Sequence, residues 1–204
     1  MRPRSRLTFF IVLAATFLNG EYSYGQGGKA KQIHALVAPV AATRQFSGIV
    51  LAVDNGKTIY EKAFGMANAE LNAPAARNSR FGIASITKPM TSIVLLRLVE
   101  EKKLTLEDKL SKFVPDFPNG DKITVAMISQ HRSGIPHRVM PPEQETLASS
   151  TAEMVEKAKA APLAFEPGTQ RLYSSAGYSV LARVMEIASG QTYAQLLKTY
   201  VFDV

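Results

Sequence analysis

Ser85-Ile86-Thr87-Lys88 sets a hydroxyl and an amine three positions apart. A serine hydroxyl is a weak nucleophile until a base takes its proton. On a helix, side chains three apart share a face, with Cβ atoms about 5–6 Å apart, so Lys88 can reach Ser85 and act as that base. Free N–H groups at a helix start disfavour an ammonium and favour a developing oxyanion, and burial beneath apolar neighbours acts on the amine in the same direction. Taken alone, the pattern also describes a serine N-cap followed by an exposed lysine. The flanks argue for chemistry: Phe81-Gly82-Ile83-Ala84 reads as an apolar, strand-like entry, and an apolar helix follows.

Tyr173-Ser174-Ser175-Ala176-Gly177-Tyr178 is the second candidate. A tyrosine just before a helix start can present its phenol at a cleft, and as phenolate beside a lysine it can take and return a proton. A core tyrosine with one hydrogen-bonded hydroxyl is the plain alternative. The third segment is Gln130-His131-Arg132-Ser133-Gly134-Ile135-Pro136. Ser85 is not in a Gly-x-Ser-x-Gly elbow, so a Ser-His-Asp triad is disfavoured and His131 is expected to fix a turn by hydrogen bonds. His34 and His137 have no partners at metal-ligand spacing, and neither a metal site nor a cofactor is predicted. Glu107, Asp108 and Asp116 read as helix caps and surface groups.

The elements that must position these residues follow from the pattern. Gly48–Val53 and Thr58–Ala63 flank Asp54-Asn55-Gly56-Lys57, a β-hairpin with an Asn-Gly turn. Residues 26–32 read as a short leader, with regular structure beginning at Phe46. From Ile86 to Lys103 the pattern is helical and apolar nearly all round, as in a helix buried in the middle of a protein. Pro89 fits only in the first turn, which puts the helix start near Ser85. Thr105 with Asp108, Thr124, Ser150 with Glu153, Ser174 or Ser175, and Thr192 all look like caps of further helices, and Gly190 looks like a helix stop. Strands first and helices after suggest an α+β fold, an antiparallel sheet flanked by helices plus a helical region.

Composition bounds the rest. The 204 residues are 46% hydrophobic and 20% charged, with a formal net charge of +7 and no cysteine. Disulfides and thiol catalysis are excluded. The basic residues are scattered, without an aromatic-studded stripe, so no nucleic-acid partner is expected. Arg2, Arg4 and Arg6, the apolar run Leu7–Leu18 and the small residues Ser23 and Gly25 read as a signal peptide over 1–25. Twelve apolar residues are too few to span a bilayer, so the mature chain is expected to be exported, periplasmic or secreted, with no stable membrane span. The domain is expected over 26–204, and the oligomeric state is left open.

Together, Phe81–Lys88, Gln130–Pro136 and Tyr173–Tyr178 resemble the serine β-lactamase and penicillin-binding-protein family, especially its class C and esterase-like branch. The resemblance runs from about Phe46 to the C-terminus. It implies a β-lactamase/transpeptidase-like fold, with Ser85 acylated, Lys88 its base, Tyr173 a second proton-transfer residue and Ser175 a substrate contact. It further implies hydrolysis of amide or ester bonds in a small-molecule or peptide substrate: a β-lactam, a D-Ala-D-Ala peptide or a small ester. The family usually has Asn where this chain has Ser175, and Lys198-Thr199-Tyr200 does not match the family's third motif. The chain is therefore expected to be incomplete at its C-terminus. That leaves open an inactive fragment, or a catalytically silent envelope-binding or sensor protein on the same fold.

Overall fold

Asn55 and Gly56 take φ values of 48° and 73°, the doubly left-handed pair that a type I′ turn requires. This turn joins β1 (Gly48–Asp54) to β2 (Lys57–Phe64), antiparallel from Gly48 opposite Phe64 to Asp54 opposite Lys57, with an irregularity between Ala52 and Val53. The computed structural model describes residues 27–141, 144 and 149–204. The signal peptide expected over 1–25 lies outside these. The chain divides into two units, one through Gly82 and one from Ile83 to Val204.

The first unit holds the hairpin, a small antiparallel pair β3 (Met66–Asn68) and β4 (Ala73–Pro74), and helix α1 (Gly28–Ala42). Helix α1 corrects the expected leader at 26–32 and the expected start of regular structure at Phe46. No side chain caps its N-terminus and Pro39 lies inside it, so local signals for it are weak. Packing supplies what they lack: Ala30 is buried, and His34 Nδ1 sits 2.9 Å from Tyr60 Oη with its ring stacked on Phe64.

The second unit is helical. Residues 81–83 carry no strand, contrary to the strand-like entry expected before Ser85, and a 3₁₀ turn over Ala84–Ile86 leads into α2 (Thr87–Glu100) instead. Pro89 falls in the first turn of α2, as its missing N–H requires. The helix stops short of the expected Lys103, because Lys102 adopts a left-handed φ of 57°. Nor is α2 buried all round: Val94, Leu95 and Leu98 are sealed, whereas Ile93 and Leu96 are about half exposed.

Thr105 and Asp108 exchange backbone bonds of 2.9 and 3.1 Å, but the turn they cap continues only as a 3₁₀ segment, Leu110–Lys112. Asp116 pairs with Lys159 at 2.7 Å. Thr124 caps α3 (Val125–Ser129) by accepting from the Met127 N–H. Ser150 and Glu153 form a capping box on α4 (Thr151–Ala160), and Thr192 and Gln195 form another on α6 (Tyr193–Leu197), which runs on as a π-helical turn over Lys198–Phe202. Between them, α5 (Ser175–Ser189) is capped by Ser174 and stopped by left-handed Gly190.

Helix α5 is the hub of this unit. It packs against α2, α3, α4 and α6, and Val180, Leu181, Val184 and Met185 are sealed from solvent. Glu186, on the same helix, accepts from Thr151 Oγ1, from the Tyr193 N–H at 2.9 Å and from Arg183 at 3.2 Å, tying the starts of α4 and α6 to α5. These hydrogen bonds outweigh the desolvation of its carboxylate and hold it below the ordinary glutamate range.

Candidate active site

Ser85 stands in the 3₁₀ turn that opens α2, directly after Ala84, whose φ of 44° is left-handed. A left-handed alanine costs about 1 kcal/mol, and such strain concentrates at functional sites. Lys88 lies in the following turn, and its Nζ is 3.4 Å from Ser85 Oγ and 3.3 Å from Ser175 Oγ. Its amine also sits over two aromatic faces, 4.8 Å from the Tyr173 ring centre and 5.4 Å from that of Tyr178.

Tyr173 Oη is 2.5 Å from Ser85 Oγ, across 88 positions of sequence. The phenol is thus nearer the serine oxygen than the lysine amine is. The Lys88 amine, then the Ser85 hydroxyl, hold the phenol below the ordinary tyrosine range against opposing desolvation. Ser85, Lys88, Tyr173 and Ser175, singled out on type and spacing, therefore converge within one hydrogen-bonded group. The shorter hydroxyl of Ser175 does reach Lys88.

The Tyr173 strand of the site is zipped to the loop after α3. The Leu172 N–H donates to His131 O (3.0 Å), Ser174 Oγ donates to Pro136 O (2.9 Å), and the Ala176 N–H donates to His137 O (3.2 Å). The imidazoles join in: the Ser174 N–H donates to His131 Nδ1 (3.1 Å) and the Ser175 N–H to His137 Nδ1 (3.2 Å). His131 thus fixes a turn as expected, itself at a left-handed φ of 62°, and is buried. Desolvation first, then the charges of Arg171, Lys88 and His137, keep its imidazole below the ordinary histidine range. The role of His137 was not legible in the sequence, because its partner lies 38 residues away.

Gly134 makes the loop possible. Its φ is 80°, and a Cβ there would lie 2.3 Å from the Phe165 carbonyl oxygen. Arg132 meanwhile donates to the Gly168 carbonyl.

Ser85, Tyr173 and Ser175 line a cleft of about 530 Å³ with His137, Arg138 and Met154. A second cavity of about 430 Å³ opens on the Lys88 side, bounded by Thr87, Thr91, Ser179 and Tyr193. Cavities of this size suit a small molecule or a short peptide. Among the described residues no group of three His, Asp or Glu could hold a metal ion, and no helix is long and apolar enough to cross a membrane.

Residues 33–204 match the Beta-lactamase family model, and the chain belongs to that family. It is 32% identical over 179 residues to penicillin-binding protein 4* of Bacillus subtilis, covering 85% of this chain and 40% of that protein. The penicillin-binding protein of Bacillus halodurans superposes with a TM-score of 0.69 at 26% identity, covering 82% of this chain and 54% of that one. The hydrolase EstCE1, described as having promiscuous acyltransferase activity, superposes with a TM-score of 0.69 at 25% identity, covering 86% and 52%. The chain thus spans 31–40% of the length of the curated relatives it matches. The mixed α and antiparallel β architecture agrees with the α+β, β-lactamase/transpeptidase-like expectation.

Proposed function

We propose that this chain carries the nucleophile end of a serine acyl-transfer hydrolase acting on amide or ester bonds. The observation that carries the reading is the convergence of the Lys88 amine and the Tyr173 phenol on Ser85 Oγ, at 3.4 and 2.5 Å. Ser85 Oγ attacks a carbonyl carbon as its proton passes to the Tyr173–Lys88 pair, which supplies general-base catalysis worth about 10²–10⁴-fold. The pair returns the proton to the leaving nitrogen or oxygen as the tetrahedral intermediate collapses to an acyl-enzyme. Water then attacks the acyl carbonyl, giving the same pair its proton, and Ser85 Oγ leaves and takes that proton back.

Ser175 keeps the lysine in place and borders the carbonyl, the role expected for it as a substrate contact. The N–H groups at the start of α2 are the candidate stabilisers of the oxyanion. Family membership supports hydrolase chemistry in general, and the printed descriptions of relatives extend from penicillin-binding proteins to EstCE1. Candidate substrates are accordingly β-lactams, D-Ala-D-Ala peptides and small esters. The basic, then apolar, start of the sequence motivates export, with the catalytic domain beginning near residue 26.

The test is covalent labelling of the whole gene product by a fluorescent penicillin and by a fluorophosphonate. Labelling by at least one probe, lost in Ser85→Ala, is expected, and the pattern between them sorts the substrate class. Absence of any Ser85-dependent adduct rejects the hydrolase reading.

A further inference from the structure

We propose that His131 and His137 are a pair of positioning residues that hold the Tyr173 phenol against Ser85 by accepting the N–H groups of the two residues that follow it; this rests on the acyl-transfer reading above. The geometry is specific. Consecutive amides, Ser174 and Ser175, donate to Nδ1 of two different imidazoles, at 3.1 and 3.2 Å. Both rings also lie against the tyrosine, with centroids 4.7 and 5.3 Å from that of Tyr173. The backbone on the C-terminal side of the phenol is thus pinned while its ring is flanked, a combination that leaves Oη little freedom except at Ser85.

Such a clamp works in one protonation state. An imidazole that accepts at Nδ1 carries its proton on Nε2 and is neutral, whereas an imidazolium has N–H at both nitrogens and cannot accept. Protonating either ring therefore turns an acceptor into a donor aimed at an amide N–H. The groups that face His131 do nothing to favour its charged form by ion pairing: Arg171, Lys88 and His137 are basic, and Tyr173 and Tyr178 present their rings. His137 faces Tyr173 and His131, with Arg138 beside it on the cleft wall. Acidification through the ordinary imidazole range, near pH 6.5, should loosen the phenol before the fold is lost.

Two variants separate this role from mere structure. In His137→Phe the ring remains against Tyr173 but accepts nothing. In the double variant His131→Asn, His137→Asn each side-chain carbonyl can replace Nδ1 as acceptor and does not titrate. The rate of Ser85 labelling by a fluorophosphonate is measured from pH 5 to 8, with Ser85→Ala as the blank and melting temperatures recorded in parallel. His137→Phe should label about 10–100-fold more slowly at pH 7.5 while melting near the wild type, the scale expected when a reacting group is displaced by about 1 Å. The double Asn variant should recover most of the rate and keep it below pH 6.5, where the wild type declines. Wild-type labelling kinetics in His137→Phe overturn the clamp, as does an unchanged acid limb in the double variant. Should the double variant not fold, the rate of His137→Phe alone decides. A wild type never labelled at Ser85 defeats the acyl-transfer reading and the clamp together, whereas a labelled wild type with unaffected variants defeats the clamp only.

Discussion

The two units differ in what holds them together. Among the described residues of the first unit, Ala30 and Tyr60 are the buried apolar side chains, and Leu51, Val53 and Leu71 stand more than half exposed. The second unit contains every other buried apolar side chain, gathered in one cluster around α2 and α5. The hairpin is written locally, by Asn55-Gly56 and two alternating strands, and needs little packing to be drawn. The site is non-local: Ser85 and Tyr173 meet only because α2 and α5 share a core. A local signal sets a turn, but a packed core is what brings distant reacting atoms within hydrogen-bond reach.

That contrast can be broken in several ways. Tyr173→Phe removes one oxygen from the site and nothing from the core, and should lower Ser85 labelling by about 10²–10⁴-fold without shifting thermal unfolding. A variant that unfolds along with its loss of labelling would instead make Tyr173 a packing residue. Next, Leu98→Ala, at a site only 1% exposed, should cost about 2–5 kcal/mol in chemical denaturation. Leu51→Ala, at 59% exposed, should stay within about 0.5 kcal/mol. Equal costs would erase the distinction between the units. Gly134→Ala should cost about 2 kcal/mol or more, from a left-handed φ and a backbone clash with Phe165, and should also slow labelling, because Gly134 shapes the loop that holds Tyr173. Retained activity with lost stability would uncouple the loop from the site.

The smallest effect is on pH. The unfolded chain binds a proton at His131 near pH 6.5, whereas the native imidazole, desolvated and facing cations, binds it only at lower pH. The stability it contributes is complete above about pH 6.5 and declines as pH falls below that, by at most about 1.4 kcal/mol per pH unit. His131→Asn should flatten that part of a stability-versus-pH curve, and a curve indifferent to the substitution would clear His131 of the effect.

Legibility in the sequence followed the range of the interactions. Thr124, Ser150 with Glu153, and Thr192 cap the helices expected of them, because a cap is a bond across three residues. Helix α1 was missed for the converse reason: it has no capping side chain, carries Pro39, and is held by contacts of Ala30 and His34 with residues farther along the chain. The apolar run in α2 suggested burial all round, but composition does not say how many faces of a helix find a neighbour. Ser85 and Lys88 could be paired from their spacing alone, whereas Tyr173 joined them only through family resemblance. His137 had no signal at all, since an imidazole that accepts a backbone N–H leaves no mark in the spacing of residue types.

What the residue order settled unaided is the chemistry of the parts: a hydroxyl and an amine one helical turn apart, an Asn-Gly turn, a row of helix caps, and no thiol. Each depends on atoms within about four residues of one another, where chain connectivity leaves few arrangements. Tertiary structure alone decided that the phenol of Tyr173 lies 2.5 Å from Ser85, that a serine hydroxyl reaches Lys88, and that two histidines grip successive amides. Those outcomes depend on burying the faces of α2 and α5 against each other, a cooperative gain in apolar contact that no short window of sequence contains.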